Sequence, residues 1–461
     1  MTTAAASRAA SAGMRREQRA WYWYDWANSA YVTTTMTVLI GPYLTAIAKE
    51  SACPGIADGA RCDVDLHVLG IPVSPGSLVF YTATASTIIS AFLLVFVGAV
   101  ADRSQHPTRL LGGFAWVGSA AAAAMFFLSG TNWQLGVLLL VIANLCLGCS
   151  LVVYDALLIK IATPDERDRV SSRGWAFGYL GGGLLLLLNL VLLNLADKLG
   201  ISTGTAVRIS LLSAGLWWAG FTLIPYLGLR SVQNSPQDLG EGVASGTLAS
   251  SFTQLARTLK ELRGFPQTMQ FLIAYLFFND GIQTVINASA VYGSEELGFT
   301  STQLVEVILL VQFVAFFGAL LFGRLAGRYG AWRTVLNSLI AWTVIVAIAY
   351  VVPRGKFLIF LALAVGIGLV LGGSQALSRS LFSQLVPRNR EAEFFSLYQA
   401  MERGTSWFGT LLFGLVQQLT HSYRAAILAL IVFFVVGGLL LSRVRMREGI
   451  IAAGNQVPAV I

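Results

Sequence analysis

Charged residues are scarce in this chain. Asp, Glu, Lys and Arg make up 12% of its 461 residues, about half of the ~25% that is usual in soluble proteins. A soluble protein of this length needs more charge to cover its surface, so a large soluble enzyme is excluded. Intrinsic disorder is excluded as well, because 56% of the residues are hydrophobic and the mean hydropathy is +0.68, which leaves ample apolar surface to bury.

Histidine is rare too, and the motifs of several enzyme classes are missing. The chain has 3 histidines, and His67, His106 and His421 fall in loops or at the ends of hydrophobic segments. The sequence contains no His-Glu-x-x-His, no Gly-x-Ser-x-Gly and no Gly-x-x-x-x-Gly-Lys-Ser/Thr. We therefore expect no enzyme, no ATP-driven pump, no metal site, no catalytic residue and no cofactor.

The 4 cysteines form two pairs. Cys53 and Cys62 lie in the predicted outer loop 49–77. If that loop faces an oxidising space they can form a disulfide, and otherwise they stay reduced. Cys146 and Cys149 form a C-x-x-C sequence inside a hydrophobic segment. Because no other Cys or His is placed to join them, we interpret them as small packing residues.

Long hydrophobic runs, by contrast, are abundant. About twelve are long enough to cross ~30 Å of hydrocarbon, whereas the alternating runs of ~10 residues that mark a membrane β-barrel are absent. The sequence therefore predicts an all-α polytopic membrane protein. The predicted spans are 24–48, 78–101, 110–129, 134–160, 175–196, 206–228, 268–293, 302–325, 333–352, 357–380, 393–418 and 424–442.

The basic residues predict how the chain is oriented. The net charge is +8, and most Lys and Arg residues fall in the segments on the same side as the N-terminus. Under the positive-inside rule both termini are then cytosolic. The basic charge needs no nucleic-acid partner. Residues 1–20 lack an apolar run followed by a cleavage site, so we predict no signal peptide there.

The spans divide six and six about the longest inner connection, and the two halves share landmarks. Gly98-Ala-Val-Ala-Asp-Arg103 follows the second span, and Gly323-Arg-Leu-Ala-Gly-Arg328 follows the eighth at a matching position. This pattern predicts two structurally related halves. The predicted organisation is a cytosolic N-terminal segment 1–23, a first half 24–229, a cytosolic linker 230–266, a second half 267–443 and a cytosolic tail 444–461.

These landmarks resemble the major facilitator superfamily, in particular its inner loop between spans two and three. That loop is Gly98-x-x-x-Asp102-Arg103 here, and it departs from the superfamily pattern downstream, where Ser-Gln-His-Pro-Thr-Arg109 replaces the usual basic run. Within the superfamily, Tyr24-Asp-Trp-Ala-Asn-Ser-Ala30 resembles the opening signature of the autophagy-linked vacuole effluxer family and its bacterial relatives. Further matching stretches are 162–171, 178–183, 279–283, 373–379, 393–395 and 404–406.

The resemblance implies a twelve-helix major facilitator fold and solute transport, and its fungal members are implied to release amino acids from vacuoles. We expect a secondary active transporter that moves a small polar solute, an amino acid or related zwitterion, by alternating access, with or without proton coupling. The alternatives are a lipid scramblase or flippase and a non-transporting receptor on the same fold. We also expect a monomer in a bacterial plasma membrane, whose partners are the solute, protons and membrane lipids.

Ionisable and amide side chains inside the spans are the candidates for binding the solute or a proton, because such groups are costly in hydrocarbon and usually face a cavity. Arg403, which stands where the family has Lys, either binds a substrate carboxylate or pairs with Asp280 or Asp25. The alternatives are a permanent ion pair for Arg403, an interfacial helix cap for Asp25 and a gate for Asp155. The full set is Asp25, Asn28, Tyr154, Asp155, Tyr179, Asp280, Gln283, Asn287, Gln375, Gln399, Glu402 and Arg403.

Three other groups carry separate predictions. Asp280, Gln283 and Asn287 recur at i, i+3 and i+7, which predicts one polar stripe facing a cavity. Trp21 with its aromatic neighbours is interpreted as an interfacial belt, and Arg379 is expected to reach the inner interface from the end of its span. The predicted cytosolic gate, whose arginines could instead serve topology alone, comprises Asp102, Arg103, Arg167, Arg169, Arg328 and Arg390.

Overall fold

The computed structural model describes residues 2–55, 62, 64–68, 70–234, 258, 260–404 and 407–461. These residues are mainly helical, and a short antiparallel hairpin of β1 (Leu66–Val68) and β2 (Ile71–Val73) lies in the longest loop. The helices are α1 (Thr2–Ala30), α2 (Ile40–Ala52), α3 (Leu78–Arg103), α4 (Pro107–Ala124), α5 (Trp133–Ile161), α6 (Arg167–Leu195), α7 (Thr203–Gly228), α8 (Pro266–Val291), α9 (Ser301–Tyr329), α10 (Ala331–Val351), α11 (Phe357–Gln384), α12 (Glu391–Gly404), α13 (Trp407–Thr420), α14 (Tyr423–Ala429), α15 (Ile431–Ser442) and α16 (Met446–Ala452).

Among the described residues, 10 helical segments have the length and hydropathy of a membrane span. Each coincides with one predicted span, and the first runs from Gly13 to Ala52 through a π-helical stretch, Tyr31–Leu39, that joins α1 to α2. The two remaining predicted spans are α8 and the pair α12–α13. Polar side chains interrupt the hydrophobic run of α8, and α12 and α13 are described as helices of 14 residues each, too short to count singly. The fold is therefore all-α and polytopic, as predicted.

The longest loop is closed by a disulfide. Cys53 and Cys62 are bonded, with their Cα atoms 6.0 Å apart. The pairing that the sequence left open is thus present in the structure. Cys146 and Cys149 remain free, and Cys149 is buried in α5, in keeping with a packing role for this pair.

Both ends of the described chain lie on one face of the bundle. The side chain of Asn455, after α16, donates hydrogen bonds to the carbonyls of Gln384 (2.9 Å) and Val386 (2.7 Å) at the end of α11. The backbone N–H of Ala459 donates to Asp165 in the α5–α6 loop (2.7 Å). We call this face, which carries the loops 104–106, 162–166 and 385–390, the terminal face. The disulfide loop lies on the opposite face.

The halves meet mainly through four helix pairs: α3 with α12, α5 with α12, α6 with α9, and α6 with α11. Glycines allow the backbones to approach closely at these crossings. A Cβ added at Gly98 of α3 would lie 2.6 Å from the carbonyl oxygen of Ala392 on α12, and one at Gly323 of α9 would lie 2.7 Å from Ser172 on α6. These contacts cluster toward the terminal face, so the halves are held together there.

The α9–α11 contact within the second half is equally tight. A Cβ at Gly318 would lie 2.3 Å from the carbonyl oxygen of Leu369, and one at Gly372 would lie 2.2 Å from that of Ala315. Backbone atoms cannot rotate away as side-chain ends can. The two glycines therefore fix the distance between α9 and α11, which both contribute to the wall of the cavity described below.

We predict that Gly372→Ala lowers the free energy of unfolding by about 1–3 kcal/mol, the range for overpacking a well-packed interior. The matched control is Gly366→Ala in the same helix, where the nearest atom lies 3.6 Å from the added Cβ and no loss is expected. Thermal unfolding of the purified protein in detergent measures both. Equal midpoints for the two variants would contradict the close α9–α11 approach.

Candidate functional site

A cavity of about 360 Å³ lies between the two halves. It opens away from the terminal face, because the side chains of its wall become more exposed in that direction. Along the first span, Asp25 is buried and Thr37 is exposed. Along α8, Gln283 is half-buried and Asn287 is exposed. Ten of the twelve predicted binding residues line the cavity. These ten are Asp25, Asn28, Asp155, Tyr179, Gln283, Asn287, Gln375, Gln399, Glu402 and Arg403.

Arg379 of α11 closes the cavity toward the terminal face. Its Nη2 lies 3.1 Å from Oδ2 of Asp25 on α1, and its Nη1 lies 3.2 Å from Oδ1 of Asp155 on α5. Its Nε donates to the hydroxyl of Ser171 on α6 (3.0 Å) and its Nη2 to the carbonyl of the same residue (3.1 Å). One side chain of the second half thus bonds three helices of the first half.

The interior position of Arg379 corrects the prediction that it reaches the interface, since only 2% of the residue is exposed. Aromatic rings surround its guanidinium carbon, at 4.7 Å from the ring centroid of Trp21 and 5.4 Å from those of Tyr154 and Trp175. A guanidinium is attracted to the faces of such rings. The predicted interfacial role of Trp21 is also wrong, because this side chain is fully buried.

Tyr154 joins this cluster without lining the cavity. Its ring stacks on Trp21 with centroids 4.2 Å apart, and the Trp21 indole N–H donates to the Tyr154 carbonyl (2.9 Å). The Tyr154 hydroxyl donates to Oδ2 of Asp25 (2.8 Å). Asp25 therefore accepts bonds from both Tyr154 and Arg379, and its carboxylate is oriented from two sides. This arrangement does not support an interfacial helix cap.

A second polar layer from α12 lies beside this cluster. The Gln399 amide donates to Oδ2 of Asp155 (2.8 Å) and to Oε2 of Glu402 (3.4 Å), while its oxygen accepts from Nε of Arg403 (3.3 Å). Asp25 pairs with Arg379, so the predicted pairing of Arg403 with Asp25 is absent among the described contacts. Three carboxylates and two guanidiniums therefore share the buried end of the cavity.

Asp280 does not line the cavity, which corrects the predicted stripe: Gln283 and Asn287 face the cavity and Asp280 does not. Its Oδ2 accepts the backbone N–H of Gly409 at the start of α13 (2.7 Å). The predicted pairing of Asp280 with Arg403 is likewise absent among the described contacts. Asp280 instead lies against the junction between α12 and α13, whose residues 405–406 fall outside the described part of the chain.

Two adjacent residues of α8 supply partners for the main chain at this junction. Asn279 donates to the carbonyl of Glu402 (3.3 Å), near the end of α12, and accepts from the Gln375 amide (2.9 Å). Asp280 accepts from the start of α13, as above. Backbone groups at membrane depth must be satisfied within the protein. The Asn279–Asp280 pair therefore joins α8 to both sides of the junction.

Asp280 is also distinctive in its charge environment. It is fully buried, and its Oδ1 has no hydrogen-bond partner among the described residues; the hydroxyl of Thr284, one turn along, has none either. Of the helices that pack beside α8, α13 and α15 contain no charged residue within their bounds, whereas α12 carries Glu402 and Arg403 and α11 carries Arg379. An ionised carboxylate is costly in such surroundings. Asp280 thus has one carboxylate oxygen bonded to the start of α13 and one without a partner among the described residues.

The halves are closed at the terminal face by two of the six predicted gate residues. Asp102 of α3 accepts the backbone N–H groups of Ala392 and Glu393, both at 2.8 Å, and so caps the start of α12. Arg167 of α6 donates to the carbonyl of Ser383 (2.9 Å) and to the Gln384 side chain (3.2 Å) on α11. Both contacts join one half to the other.

The other predicted gate residues make no contact between the halves in the part of the chain that the structure describes. Arg169 pairs with Glu166 one turn away (2.7 Å), Arg328 lies over the ring of its neighbour Tyr329, and Arg390 pairs with Glu261 and Glu393. No contact of Arg103 across the halves is described. Further contacts between the halves that the sequence did not indicate add to the closure. They are Ser171 with Ala376, Ser380 with Asp168, Gln384 with Pro164, Gln399 with Asp155, and Arg379 with its carboxylates.

Similarity to known proteins agrees with this architecture. Residues 13–454 match the family described as "Vacuole effluxer Atg22 like". An uncharacterized MFS-type transporter of Bacillus subtilis, YxiO, is 30% identical over 93% of this chain and 94% of its own length. Autophagy-related protein 22 of Saccharomyces cerevisiae is 25% identical over 88% of this chain and 87% of its own.

Solved structures show the same fold at low sequence identity. A bacterial homologue of the iron transporter ferroportin, in an outward-facing state, covers 94% of this chain and 98% of its own, with a TM-score of 0.65 and 15% identity. The proton:xylose symporter XylE covers 94% and 96%, with a TM-score of 0.65 and 13% identity. The fold is that of the major facilitator superfamily, which confirms the predicted fold class.

We predict that Arg379→Gln destabilises the protein by about 3–5 kcal/mol, because it leaves Asp25 and Asp155 buried without their cation. Adding Asp155→Asn should recover part of this loss by removing one of the two charges. Arg388→Gln, at an exposed position just beyond α11, is the matched control and should match the wild type in thermal unfolding. An Arg379→Gln variant as stable as the wild type would contradict the role of this ion pair.

Proposed function

We propose that this membrane transporter, which belongs to the Atg22-like vacuole effluxer family of the major facilitator superfamily, is a secondary active carrier. Its solute would be a small zwitterion, an amino acid or a related solute. It would work by alternating access. The observation that carries the proposal is the cavity between the halves, which opens on one side and is closed on the other by the buried Arg379 cluster. Binding between two related halves is the general arrangement of such transporters.

The chemistry of the cavity suits a zwitterion. Its buried end presents carboxylates and the guanidinium of Arg403, while its walls toward the open end are largely apolar, with Val307, Phe360 and Ile367 among them. A solute carboxylate would bind Arg403, and a solute amine would bind Glu402 or Asp25. A volume of about 360 Å³ lies at the lower end of the ~300–1,000 Å³ typical of small-molecule pockets. This size favours a small solute over the alternative of a lipid scramblase.

Alternating access requires that the terminal face open. For this the Asp102 and Arg167 contacts between the halves must break, and Arg379 must separate from Asp25 and Asp155. Such a change is a rigid-body rocking of one half against the other. A bound solute that pairs with the same charged groups would lower the cost of that separation, because fewer buried charges would be left unpaired.

We propose proton coupling through Asp280. Its buried carboxyl lacks a cationic partner in the described part of the chain, in contrast to Asp25 and Asp155, which share Arg379. Deprotonation would place a charge at the start of α13, where the helix dipole favours it but no cation neutralises it. Because Asp280 and Asn279 hold the α12–α13 junction, a change of charge there would be transmitted to Glu402 and Arg403.

Orientation and location follow from the sequence and remain proposals. The basic residues place the terminal face in the cytosol, so the cavity would open to the outside in this arrangement. We propose a monomer in a bacterial plasma membrane. Solute, protons and lipids are its expected partners.

We predict that Arg403→Gln reduces uptake of the transported solute at least tenfold without loss of folded protein, because the cavity loses the group that binds its carboxylate. The experiment measures uptake of each of a set of radiolabelled amino acids into proteoliposomes of the full-length protein. Arg328→Gln, on the same face as the chain ends and outside the cavity, is the matched control. Wild-type uptake by the Arg403 variant, or uptake of none of these solutes by the wild type, would refute the assignment.

We predict that Asp280→Asn abolishes accumulation of solute driven by a pH gradient but retains exchange of labelled for unlabelled solute. The asparagine keeps the hydrogen bond from Gly409 and cannot lose a proton. Proton movement is followed with a pH-sensitive dye inside the same proteoliposomes. Glu448→Gln, at an exposed position of α16, serves as the carboxylate control. Gradient-driven accumulation by the Asp280 variant at the wild-type level would exclude Asp280 as the coupling group.

A further inference from the structure

A second pocket lies at the terminal face, apart from the central cavity. It has a volume of about 320 Å³ and is formed where α4 begins and α7 ends. Its polar lining comprises His106, Thr108, Arg109, Tyr226 and Arg230, with Val232 and Gln233 at its edge. His106, Thr108 and Arg109 belong to the stretch in which the α3–α4 loop departs from the superfamily pattern. Nothing in the transport proposal uses this pocket.

The pocket is basic, and no carboxylate is among its lining residues. Arg109 and Arg230 form no ion pair with any carboxylate in the described ranges, whereas Arg379, Arg390 and Arg424 do. The Arg230 guanidinium carbon lies 5.4 Å from the centroid of the Tyr226 ring, so the ring helps to hold it at the pocket wall. Guanidinium groups bind phosphate oxygens through paired, charge-assisted hydrogen bonds. Two such groups on one small pocket suit a phosphate.

The corresponding place in the second half is filled. In the first half the Thr108 hydroxyl, at the second position of α4, donates to the carbonyl of Leu229 just after α7 (3.0 Å). In the second half the indole of Trp332, at the second position of α10, donates to the carbonyl of Leu441 near the end of α15 (3.0 Å). The hydrogen bonds correspond, but the indole occupies space that the small Thr108 side chain leaves open.

The start of α10 is also covered by other parts of the same chain. The main chain of Ile461 packs directly against Gly330, the residue that precedes α10. The start of α4 is bordered instead by the segment after α7, where Asn234 donates hydrogen bonds to the carbonyls of Ser104 (2.7 Å) and Gln105 (3.3 Å), and the pocket stays open beside it. The pocket is therefore a specific feature of the first half and does not simply repeat a feature of the fold.

Apolar surface continues from the pocket along the same two helices. Leu223 and Leu227 on α7 and Val117 on α4 are exposed large hydrophobic residues. In a membrane they would face lipid chains, while the basic pocket would lie at the level of the headgroups. Basic pockets between membrane helices at this level bind anionic lipid headgroups. An apolar surface beside the arginines favours a phosphate that is attached to acyl chains over a soluble one.

We propose that this pocket binds the phosphate of an anionic phospholipid from the leaflet at the terminal face. Arg109 and Arg230 would hold the phosphate oxygens, and the positive end of the α4 dipole would add to the positive potential there. The acyl chains would lie along the exposed faces of α4 and α7. A soluble phosphate could use the same arginines, and the experiment below separates the two sources.

Native mass spectrometry of the full-length protein in detergent tests the proposal with three probes: dioctanoyl phosphatidylglycerol, dioctanoyl phosphatidylcholine and inorganic phosphate. We expect the wild type to retain phosphatidylglycerol more tightly than phosphatidylcholine. The double variant Arg109→Gln/Arg230→Gln should bind phosphatidylglycerol roughly 25-fold more weakly, since each arginine near an anionic headgroup contributes on the order of fivefold in affinity. Thr108→Trp, which fills the pocket without changing its charge, should weaken binding in the same direction.

The matched control is Arg333→Gln/Arg443→Gln, which removes the corresponding two arginines of the second half and should leave phosphatidylglycerol binding unchanged. If both pocket variants bind phosphatidylglycerol as the wild type does, the pocket is not a lipid site and the proposal is overturned. Inorganic phosphate could also bind without lipid, displace phosphatidylglycerol and lose affinity in the same pocket variants. In that case the pocket binds phosphate, and the proposal that the phosphate belongs to a phospholipid is overturned. Weakening by the control pair to the same extent would indicate general surface charge and would also overturn the site.

Discussion

The buried guanidinium of Arg379 is the interaction on which the closed arrangement depends. A charge removed from water is tolerated only if opposite charges and hydrogen bonds surround it. Asp25, Asp155 and Ser171 provide these on three helices of the first half, and Trp21 and Tyr154 add ring faces. Neither half contains a complete set. The halves are therefore stabilised against each other at this depth, and the buried end of the cavity is where their charges meet.

A second constraint applies beside the cavity, the need to satisfy backbone groups inside a membrane. Glu402 and Arg403 lie just before the junction of α12 and α13, and the side chains of Asn279 and Asp280 bond the main chain on either side of it. The polar residues that make α8 and α12 less hydrophobic than the other spans thus have a structural use. They bond α8 to α12 and to α13 next to the charged end of the cavity.

The positions of most membrane helices could be predicted from the sequence because hydropathy is a local property. Ten predicted spans coincide with helices of sufficient length and hydropathy among the described residues, and most of the candidate polar residues do line one cavity. The sequence also indicated Asp102 and Arg167, which lie at helix ends that meet at the terminal face. Polar residues inside hydrophobic runs are rare, so each one carried information about where the interior cavity lies.

Partners and orientations could not be predicted in the same way, because they depend on residues from other helices at the same depth. Arg379 was expected to reach the interface, since nothing in its own helix reveals the carboxylates of α1 and α5. Asp280 shares a helical stripe with Gln283 and Asn287, yet the position of α13 places it outside the cavity. The α4–α7 pocket arises because Thr108 stands where the second half has Trp332.

The sequence by itself determined the membrane class, the spans and the chemistry available inside them, because composition and hydrophobic runs are properties of each segment alone. Only the tertiary structure decided which charges neutralise one another and which remain unpaired, because helices far apart in the chain contribute to each buried charge.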